Sequence, residues 1–322
     1  LQSLFGNFYT RLIILHIFLL LPFFFLKTLN FKFKKNDLFL ISIVFFFLSA
    51  NYRSLAIWSG REIIVILFLI LSIFFFLKFL NKKKLKNIYI SFSLLIISSY
   101  FSPEVGIISL IYLYEIFQII DKKKILFIII FNLLASIPFI LYLKLYLSFE
   151  HQFTNNIHKN LIYNIPYFFS SIVIYTIPFI LIRLKEYFKF ILSKFYILFF
   201  FFIFFYFLNL GVNLNIGGGG IYVVLKKINL EESLFVFSSI GFFNLIFLLE
   251  KKIYNVFILF IFILQTCLNF HFFQKYLDLY WIIYFMFFLK MNNLKLFLDN
   301  KNFTTLLVLV YCTIFLANII VH

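Results

Sequence analysis

Charged residues are scarce in this sequence: Asp, Glu, Lys and Arg make up 13% of the chain, against 64% hydrophobic residues. That composition leaves too little polar surface to cover a water-soluble globule of 322 residues. Long polar stretches are missing as well, which excludes a separate soluble domain. The sequence therefore predicts an integral membrane protein that faces lipid over most of its length.

Cysteine and acidic residues are also few. Cys267 and Cys312 both lie inside apolar segments, and two isolated cysteines make neither a disulfide framework nor a zinc site. Acidic residues number 12 against 29 Lys and Arg, which gives a formal charge of +17. Because the basic residues cluster at the ends of apolar runs, anionic lipid headgroups explain them better than nucleic acid, and no nucleic-acid binding is expected.

Apolar runs long enough to cross or nearly cross the bilayer recur along the chain. They predict an all-α polytopic membrane protein with about ten to twelve transmembrane helices, forming a single transmembrane domain over residues 1–322. Two short runs, joined by Phe-Ser-Pro-Glu-Val-Gly, predict a broken pair that does not fully cross. The runs lie near 12–27, 37–50, 63–80, 88–100, 107–120, 125–147, 161–182, 190–210, 233–249, 253–270, 277–289 and 304–321.

The basic residues are divided unevenly between the loops on the two sides of these runs. One set of loops holds most of the lysines, and the positive-inside rule identifies that set as cytoplasmic. The opposite loops are longer and chemically mixed, so binding and chemistry are expected on that outer face. The outer loops are 51–62, 101–106, 148–160, 211–232 and 271–276.

The outer loop 51–62 is the first candidate site, because it contains Arg53, Trp58, Arg61 and Glu62 between two apolar runs. Arginine binds phosphate bidentately, and an acid that enters the membrane is costly unless it is paired or used. This pattern favours a segment that holds an anionic group. The alternative is that both arginines pair with lipid headgroups while Trp58 belongs to the aromatic belt.

Glu104 is a second candidate, because Pro103 and Gly106 around it break a helix at a depth that only a protein-lined cavity tolerates. Glu104 is therefore a candidate for the wall of such a cavity. An ordinary turn with a solvated acid is the other interpretation.

Two further outer segments carry candidate residues. His151, with His158 in the same loop, is interpreted as a hydrogen-bonding histidine near a substrate, and no metal site is expected because no third ligand is nearby. His271, Lys275 and Asp278 have the spacing of one helical face, on which Lys275 can meet an anionic group. A simple Lys275–Asp278 pair is the alternative.

Four local features resemble the multi-spanning GT-C glycosyltransferases, in particular mannosyl- and arabinosyltransferases that use a polyprenyl- or dolichyl-phosphate sugar. The features are Leu4-Phe5-Gly6 with Tyr9-Thr10-Arg11-Leu12, Asn51-Tyr52-Arg53-Ser54 with Arg61-Glu62, the short pair around Ser102-Pro103-Glu104, and Gln274-Lys275-Tyr276-Leu277. The resemblance implies a GT-C-like fold and transfer of a sugar to a lipid, glycan or protein acceptor. It also implies the outer, periplasmic face of a bacterial inner membrane as the place of reaction.

The resemblance implies roles for the candidate residues. Arg53, Arg61 and Lys275 would bind the lipid phosphate or the acceptor, with Glu62 beside them. Glu104 and His151 would line the cavity. The family's general base is an acid in a first outer loop that is not visible here, so the resemblance implies that it lies upstream of Leu1, after a further helix, and that this fragment is inactive alone. No cofactor beyond the lipid-linked donor is evident, and the metal requirement stays open.

Two other classes of membrane protein remain as alternatives. A transporter or flippase also has many spans, but it usually shows repeated hydropathy and ionisable residues at mid-membrane. An O-antigen polymerase or ligase also acts on lipid-linked sugars, and a very long, arginine-bearing outer loop would distinguish it. The outer loops here are short.

Overall fold

A computed structural model describes most of the chain, and the described part is helical, which confirms the predicted all-α fold. The described residues are 8–34, 46–47, 52, 55–56, 60–149, 157–210, 219–249, 252–267, 274–290 and short pieces at 305–306, 308–309 and 312. The chain divides into two compact units, Leu1–His151 and Gln152–His322, and each is described by itself. The predicted single transmembrane domain stays a prediction.

The described residues contain four helices that are long and apolar enough to cross a membrane, or five if one bent pair makes a single span. The protein is therefore membrane-embedded and polytopic. The predicted runs near 37–50 and 304–321 fall mostly outside the described residues, so the total of ten to twelve helices stays a prediction. The four are Tyr9–Phe33, Glu62–Lys82, Leu161–Ile182 and Glu231–Leu248.

The first unit is built around an antiparallel helix pair, α2 and α3. Lys83 ends α2 in the left-handed region at φ 51°, and its N–H donates to the Phe79 carbonyl oxygen at 2.7 Å. This tight turn lets α3 fold back along α2. The helices of the unit are α1 (Phe8–Phe33), α2 (Glu62–Lys82), α3 (Leu85–Phe101), a 3-10 helix (Pro103–Ile108), α4 (Ser109–Phe117) and α5 (Lys122–Phe149).

Buried serines hold α2 and α3 together. Ser72 Oγ donates to the Ser91 carbonyl oxygen at 2.8 Å, and Ser91 Oγ donates back to the Ser72 carbonyl oxygen at 2.8 Å. One heptad away, Ser98 Oγ donates to the Val65 carbonyl oxygen at 3.0 Å. Small residues let the two backbones approach, and each such bond contributes about 0.6 kcal/mol inside a membrane. The contacts also fix the antiparallel register of the pair.

The broken pair predicted around Pro103 is confirmed. Beyond Phe101 the chain forms the 3-10 helix and then α4, whose Tyr112 stacks on Phe76 at 4.0 Å and contacts Phe92 edge-on at 5.7 Å. These contacts show that α4 runs back along α3. With 9 residues, α4 is only about 14 Å long, far less than the roughly 30 Å of a bilayer core.

Most described lysines of the first unit gather at one end, and Lys144, far along α5, is the exception. The end of α1 contacts the second half of α2, because the Lys27 ammonium and the Phe31 ring both lie against Phe74. The α2–α3 turn lies at this end, and so does the start of α5, since α4 has turned back. We call this the lysine-bearing end of the first unit. Its members are Lys27, Lys32, Lys34, Lys78, Lys82, Lys83, Lys84, Lys86, Lys122, Lys123 and Lys124.

The second unit is built on a parallel pair, α6 and α10, that cross at very short range. A Cβ on Gly241 would lie 1.8 Å from the Phe169 carbonyl oxygen, so only glycine allows this approach. Ser238 Oγ donates to the Pro166 carbonyl oxygen at 2.7 Å. The elements are α6 (Ile157–Ile182), α7 (Leu184–Ser193), α8 (Phe195–Leu210), α9 (Gly219–Lys227), a 3-10 helix (Glu231–Ser233), α10 (Leu234–Leu248), α11 (Ile253–Cys267), α12 (Gln274–Ile283) and a π-helix (Tyr284–Phe288).

The second unit has a basic end of its own. The Arg183 guanidinium, just after α6, lies 4.9 Å from the Phe247 ring near the end of α10. Lys252 Nζ donates to the Lys290 carbonyl oxygen at 3.3 Å, which joins the start of α11 to the end of the π-helix. The starts of α6, α10 and α12 therefore lie at the opposite end. Within each unit, the basic residues separate as the loop pattern predicts.

The prediction of a span near 190–210 needs a correction at its start. Helices α7 and α8 are bent by 78° at Lys194, so residues 190–193 belong to a separate helix. Lys185, Glu186 and Lys189 are exposed on α7, while Tyr187 is buried. These charges keep α7 out of the hydrocarbon, and the apolar run begins only at Phe195.

Candidate active site

The helix start at Arg61 and Glu62 is held by a compact turn. The Gly60 N–H donates to the Leu55 carbonyl oxygen at 2.7 Å, and the Gly60 carbonyl oxygen accepts from the Ile63 N–H at 3.2 Å. Arg61 is exposed, and Glu62 is half-buried in the first turn of α2. A carboxylate in a first turn is stabilised by the helix dipole, so Glu62 does not need Arg61 as its partner. Arg61 thus remains available to an anion.

Position 60 must be a glycine for this turn to form, because the space that a side chain would need is occupied. A Cβ there would lie 2.9 Å from Glu62 Oε2 and 2.5 Å from Leu55 Cδ2. The Glu62 carboxylate therefore lies close over the backbone of Gly60. Earlier in the loop, Tyr52 is fully buried, with its ring 4.9 Å from Phe46. The predicted site residue Arg53, and Trp58, lie outside the described residues.

The helix break at Ser102 positions the second acid. The Ser102 N–H donates to the Ser98 carbonyl oxygen at 3.1 Å and ends α3, while Pro103 begins the 3-10 helix. The Ser102 hydroxyl donates to Glu104 Oε1. This bond holds the half-buried carboxylate against the break and leaves its second oxygen for another hydrogen bond.

The two acids lie at the same end of the α2–α3 pair, opposite the lysine-bearing end. The register set by Ser72 with Ser91, and by Ser98 with Val65, brings the start of α2 level with the end of α3. Arg61, Glu62 and Glu104 thus form one charged end, as the sequence predicts. We call it the charged end. Their roles in binding stay predictions.

A cavity of about 310 Å³ lies below the break, between α3, the 3-10 helix, α4 and α5. Its walls start at Pro103 and Gly106, on either side of Glu104, although Glu104 itself is not a lining residue. Tyr100 is 44% exposed and Leu133 59% exposed, so the cavity opens on the lipid-facing surface. It is lined by Phe92, Leu95, Ile96, Ser99, Tyr100, Pro103, Gly106, Ser109, Leu113, Ile129, Asn132, Leu133 and Ser136.

Polar groups in this cavity donate to nearby backbone. Ser99 Oγ donates to the Leu95 carbonyl oxygen at 2.8 Å, and Ser136 Oγ donates to the Asn132 carbonyl oxygen at 2.7 Å. The Tyr100 hydroxyl donates to the Ala135 carbonyl oxygen at 2.7 Å. A hydroxyl that has given its proton still offers lone pairs. The cavity therefore presents oxygen acceptors on an apolar wall, which suits a ligand rich in hydroxyl donors.

The positions of two predicted site residues relative to this place stay untested. His151 lies outside the described residues. Lys275 lies at the start of α12, at the end of the second unit opposite Arg183. Only the backbone of Lys275 is described. The structure thus brings Arg61, Glu62 and Glu104 to one end of the first unit, and the predicted roles of Lys275 and His151 stay predictions.

Glu115, an acid on α4 that is only 9% exposed, was not predicted from the sequence as a site residue. It lies inside the apolar run 107–120, where an ionisable side chain is costly and usually has a purpose. An acid inside an apolar run is therefore the sequence feature from which Glu115 could have been predicted. In the structure Glu115 has an interaction partner, so it is not a free carboxylate.

Metal ligands do not cluster in the described part of the chain, where no group of three or more His, Cys, Asp or Glu side chains could hold an ion. No family model, curated protein or solved structure matches this chain. Functional interpretation therefore depends on the geometry of the charged end and the cavity.

Proposed function

We propose that this protein is a membrane glycosyltransferase that moves a sugar from a polyprenyl-phosphate donor to a lipid, glycan or protein acceptor. The observation that carries the proposal is the cavity of about 310 Å³, which opens toward lipid directly below a charged end bearing Arg61 and Glu104. The donor has three parts: an apolar chain, a hydroxyl-rich sugar and an anionic phosphate. This region offers a matching surface to each of them, namely the lipid-facing opening, the oxygen-lined cavity and the charged end. The resemblance to GT-C glycosyltransferases supports the same reaction.

Each part of the donor has a partner of fitting chemistry. The prenyl chain stays in lipid beside Leu133. The sugar hydroxyls donate to the oxygens of Ser99 and Ser136. Arg61 stabilises the phosphate as negative charge develops on it, while Glu104 accepts a hydrogen bond from the acceptor or the sugar.

In this reaction an acceptor hydroxyl attacks the anomeric carbon, and the bond between that carbon and the phosphate oxygen breaks. The phosphate leaves with the bonding electron pair, and a general base takes the hydroxyl proton. The base is not assigned to a described residue. Lys275, Arg53 and His151 remain proposed binding residues, and the lipid-linked sugar is the only cosubstrate that the proposal requires.

The proposed location is the inner membrane of a bacterium, with the charged end at the periplasmic face. The lysine-bearing end opposite it supports this orientation, because lysine-rich loops are retained on the cytoplasmic side. A polyprenyl-phosphate sugar presented at that outer surface would reach Arg61 without crossing the hydrocarbon.

Sugar transfer by the full-length protein in liposomes tests the proposal. With a radiolabelled polyprenyl-phosphate sugar, we expect label to move to an acceptor, and Arg61→Ala to lower kcat about a hundredfold, as loss of a charge-stabilising donor does. Glu104→Gln should lower kcat/KM about tenfold. The matched controls are Lys86→Ala and Asp121→Asn, exposed residues at the lysine-bearing end, which should stay within twofold.

Absence of transfer across donors with different sugars would contradict the proposal. If the liposomes instead move the labelled donor between leaflets without cleaving it, the protein is a flippase. Equal loss in Arg61→Ala and Lys86→Ala would also contradict it, because a general loss of membrane insertion would then explain both.

A further inference from the structure

We propose that Lys27 and Lys78, which converge on the Phe74 ring at the lysine-bearing end of the first unit, bind the phosphate of an anionic phospholipid. The Lys27 ammonium lies 5.4 Å from the centre of this ring, and the Lys78 ammonium lies 6.0 Å from it. Lys78 also lies 5.7 Å from the Phe75 ring. Two helices, α1 and α2, thus bring two cations to one aromatic side chain.

The two ammonium groups have no acid to neutralise them within the described residues. Ion pairs form elsewhere, for example between Lys124 and Asp121, but neither Lys27 nor Lys78 has a carboxylate partner among the described residues. Like charges held near each other at the edge of a low-dielectric region repel. An anion bound beside the Phe74 ring offsets that repulsion and accepts hydrogen bonds from the ammonium groups.

The surface beside Lys27 identifies the anion as a lipid headgroup. Leu20, Phe23 and Lys27 lie on one face of α1, at positions i, i+3 and i+7. Leu20 is 50% exposed and Phe23 is 60% exposed. An acyl chain can lie along these two side chains while its phosphate reaches Lys27. A free phosphate ion would use the cations but not the apolar track.

The lysine-bearing end offers a control of the same charge. Lys122 and Lys123 are exposed at the same end. Unlike Lys27 and Lys78, they lie next to an acid in the chain, Asp121, which pairs with Lys124 at 3.4 Å. A general attraction to an anionic leaflet would involve all of these lysines equally. A defined site requires Lys27 and Lys78 more than Lys122 and Lys123.

Native mass spectrometry of the detergent-purified protein tests the site. In an equimolar mixture of phosphatidylglycerol and phosphatidylcholine, we expect the wild type to retain phosphatidylglycerol and Lys27→Gln/Lys78→Gln to retain about tenfold less. Lys122→Gln/Lys123→Gln should stay within twofold of wild type, and Lys27→Arg/Lys78→Arg should retain the lipid. Millimolar inorganic phosphate should not displace it.

Equal loss in both glutamine pairs would overturn the proposal, because the attraction would then be general. Displacement by inorganic phosphate would assign the site to a free ion. If the Lys27→Gln/Lys78→Gln protein misfolds, a photoreactive phosphatidylglycerol on the wild type decides the question. Crosslinks on α1 around Leu20 and Phe23 support the site, and crosslinks only elsewhere overturn it. These measurements do not depend on sugar transfer.

Discussion

The helix pairs at the centres of the two units use similar polar contacts but leave different space beside them. In the first unit α2 and α3 are joined by Ser72 and Ser91, and a cavity of about 310 Å³ lies next to α3. In the second unit the backbones of α6 and α10 meet where Gly241 lies against the Phe169 carbonyl group, and a pocket beside Leu245 and Trp281 holds about 10 Å³. Helices α6 and α10 run unbroken past each other in the second unit, whereas the break at Pro103 shortens α4 beside the cavity of the first unit.

In the first unit, the space for a ligand lies beside an interrupted helix and is not a sign of loose packing. Tyr112 is stacked at 4.0 Å on Phe76, so the first unit is tightly packed next to its cavity. The interruption also places Glu104 between Pro103 and Gly106, the two residues at which the cavity wall starts.

The largest expected difference between the units is at their glycines. Gly241→Ala puts a Cβ 1.8 Å from the Phe169 carbonyl oxygen, so the helices must separate, and we expect a loss of about 3 kcal/mol in unfolding free energy, at the upper end of overpacking costs. Gly106→Ala meets only the flexible Ser99 Oγ, at 3.2 Å, and should cost less than about 1 kcal/mol. Unfolding by SDS in mixed micelles measures both. Equal losses would mean that the first unit is packed as closely as the second.

A smaller difference is expected at the buried hydrogen bonds. Asn244 accepts from the Tyr187 hydroxyl and donates to Thr176 Oγ1 at 2.9 Å, so Asn244→Leu leaves the Tyr187 hydroxyl without that acceptor. We expect a loss of about 2 kcal/mol. Ser72→Ala should cost about 1 kcal/mol, because it removes the bonds of Ser72 Oγ to the Ser91 carbonyl oxygen and to the Tyr112 hydroxyl. The return bond from Ser91 Oγ to the Ser72 carbonyl oxygen, at 2.8 Å, remains. A larger loss from Ser72→Ala in the same unfolding assay would contradict this order.

The smallest difference concerns two turns with positive φ. Lys83 has φ 51° and Asn229 has φ 56°. Lysine is strained in the left-handed region, whereas asparagine tolerates it, so Lys83→Gly should stabilise the first unit by up to about 1 kcal/mol. Asn229→Gly should change the unfolding free energy by less than about 0.5 kcal/mol. Stabilisation by Asn229→Gly alone would show that strain at Lys83 is already relieved.

Sequence patterns predict much of this fold, because they depend on local chemistry. Pro103 and Gly106 predict the helix break, and the lysine clusters predict which helix ends lie together within a unit. Partners distant in the chain are not predictable in this way. The residues around Gly241 and Ser72 do not indicate that these positions contact Phe169 and Ser91. Glycine and serine are small enough to pack against many different helices, so their presence does not specify a partner. The predicted apolar runs 161–182 and 190–210 leave residues 183–189 as a connection, and the helix α7 that forms there was not predicted.

The candidate site divides in the same way. Arg61, Glu62 and Glu104 could be named from the sequence because charges between apolar runs are conspicuous. Their common position depends on the register of α2 and α3, and the cavity depends on the short length of α4. Hydroxyls such as Ser99 and Ser136 could not be singled out, because serine is frequent in membrane helices for packing reasons alone.

The central claim is that the charged end and the lysine-bearing end face opposite sides of the membrane. Cysteine labelling tests it most directly, with Cys267 and Cys312 replaced by serine and single cysteines introduced by Arg61→Cys, Lys86→Cys, Lys189→Cys or Glu232→Cys. With a membrane-impermeant maleimide on intact bacteria, we expect Arg61→Cys and Glu232→Cys to react, and Lys86→Cys and Lys189→Cys to react only after lysis. Labelling of Arg61→Cys and Lys86→Cys from the same side would contradict the account.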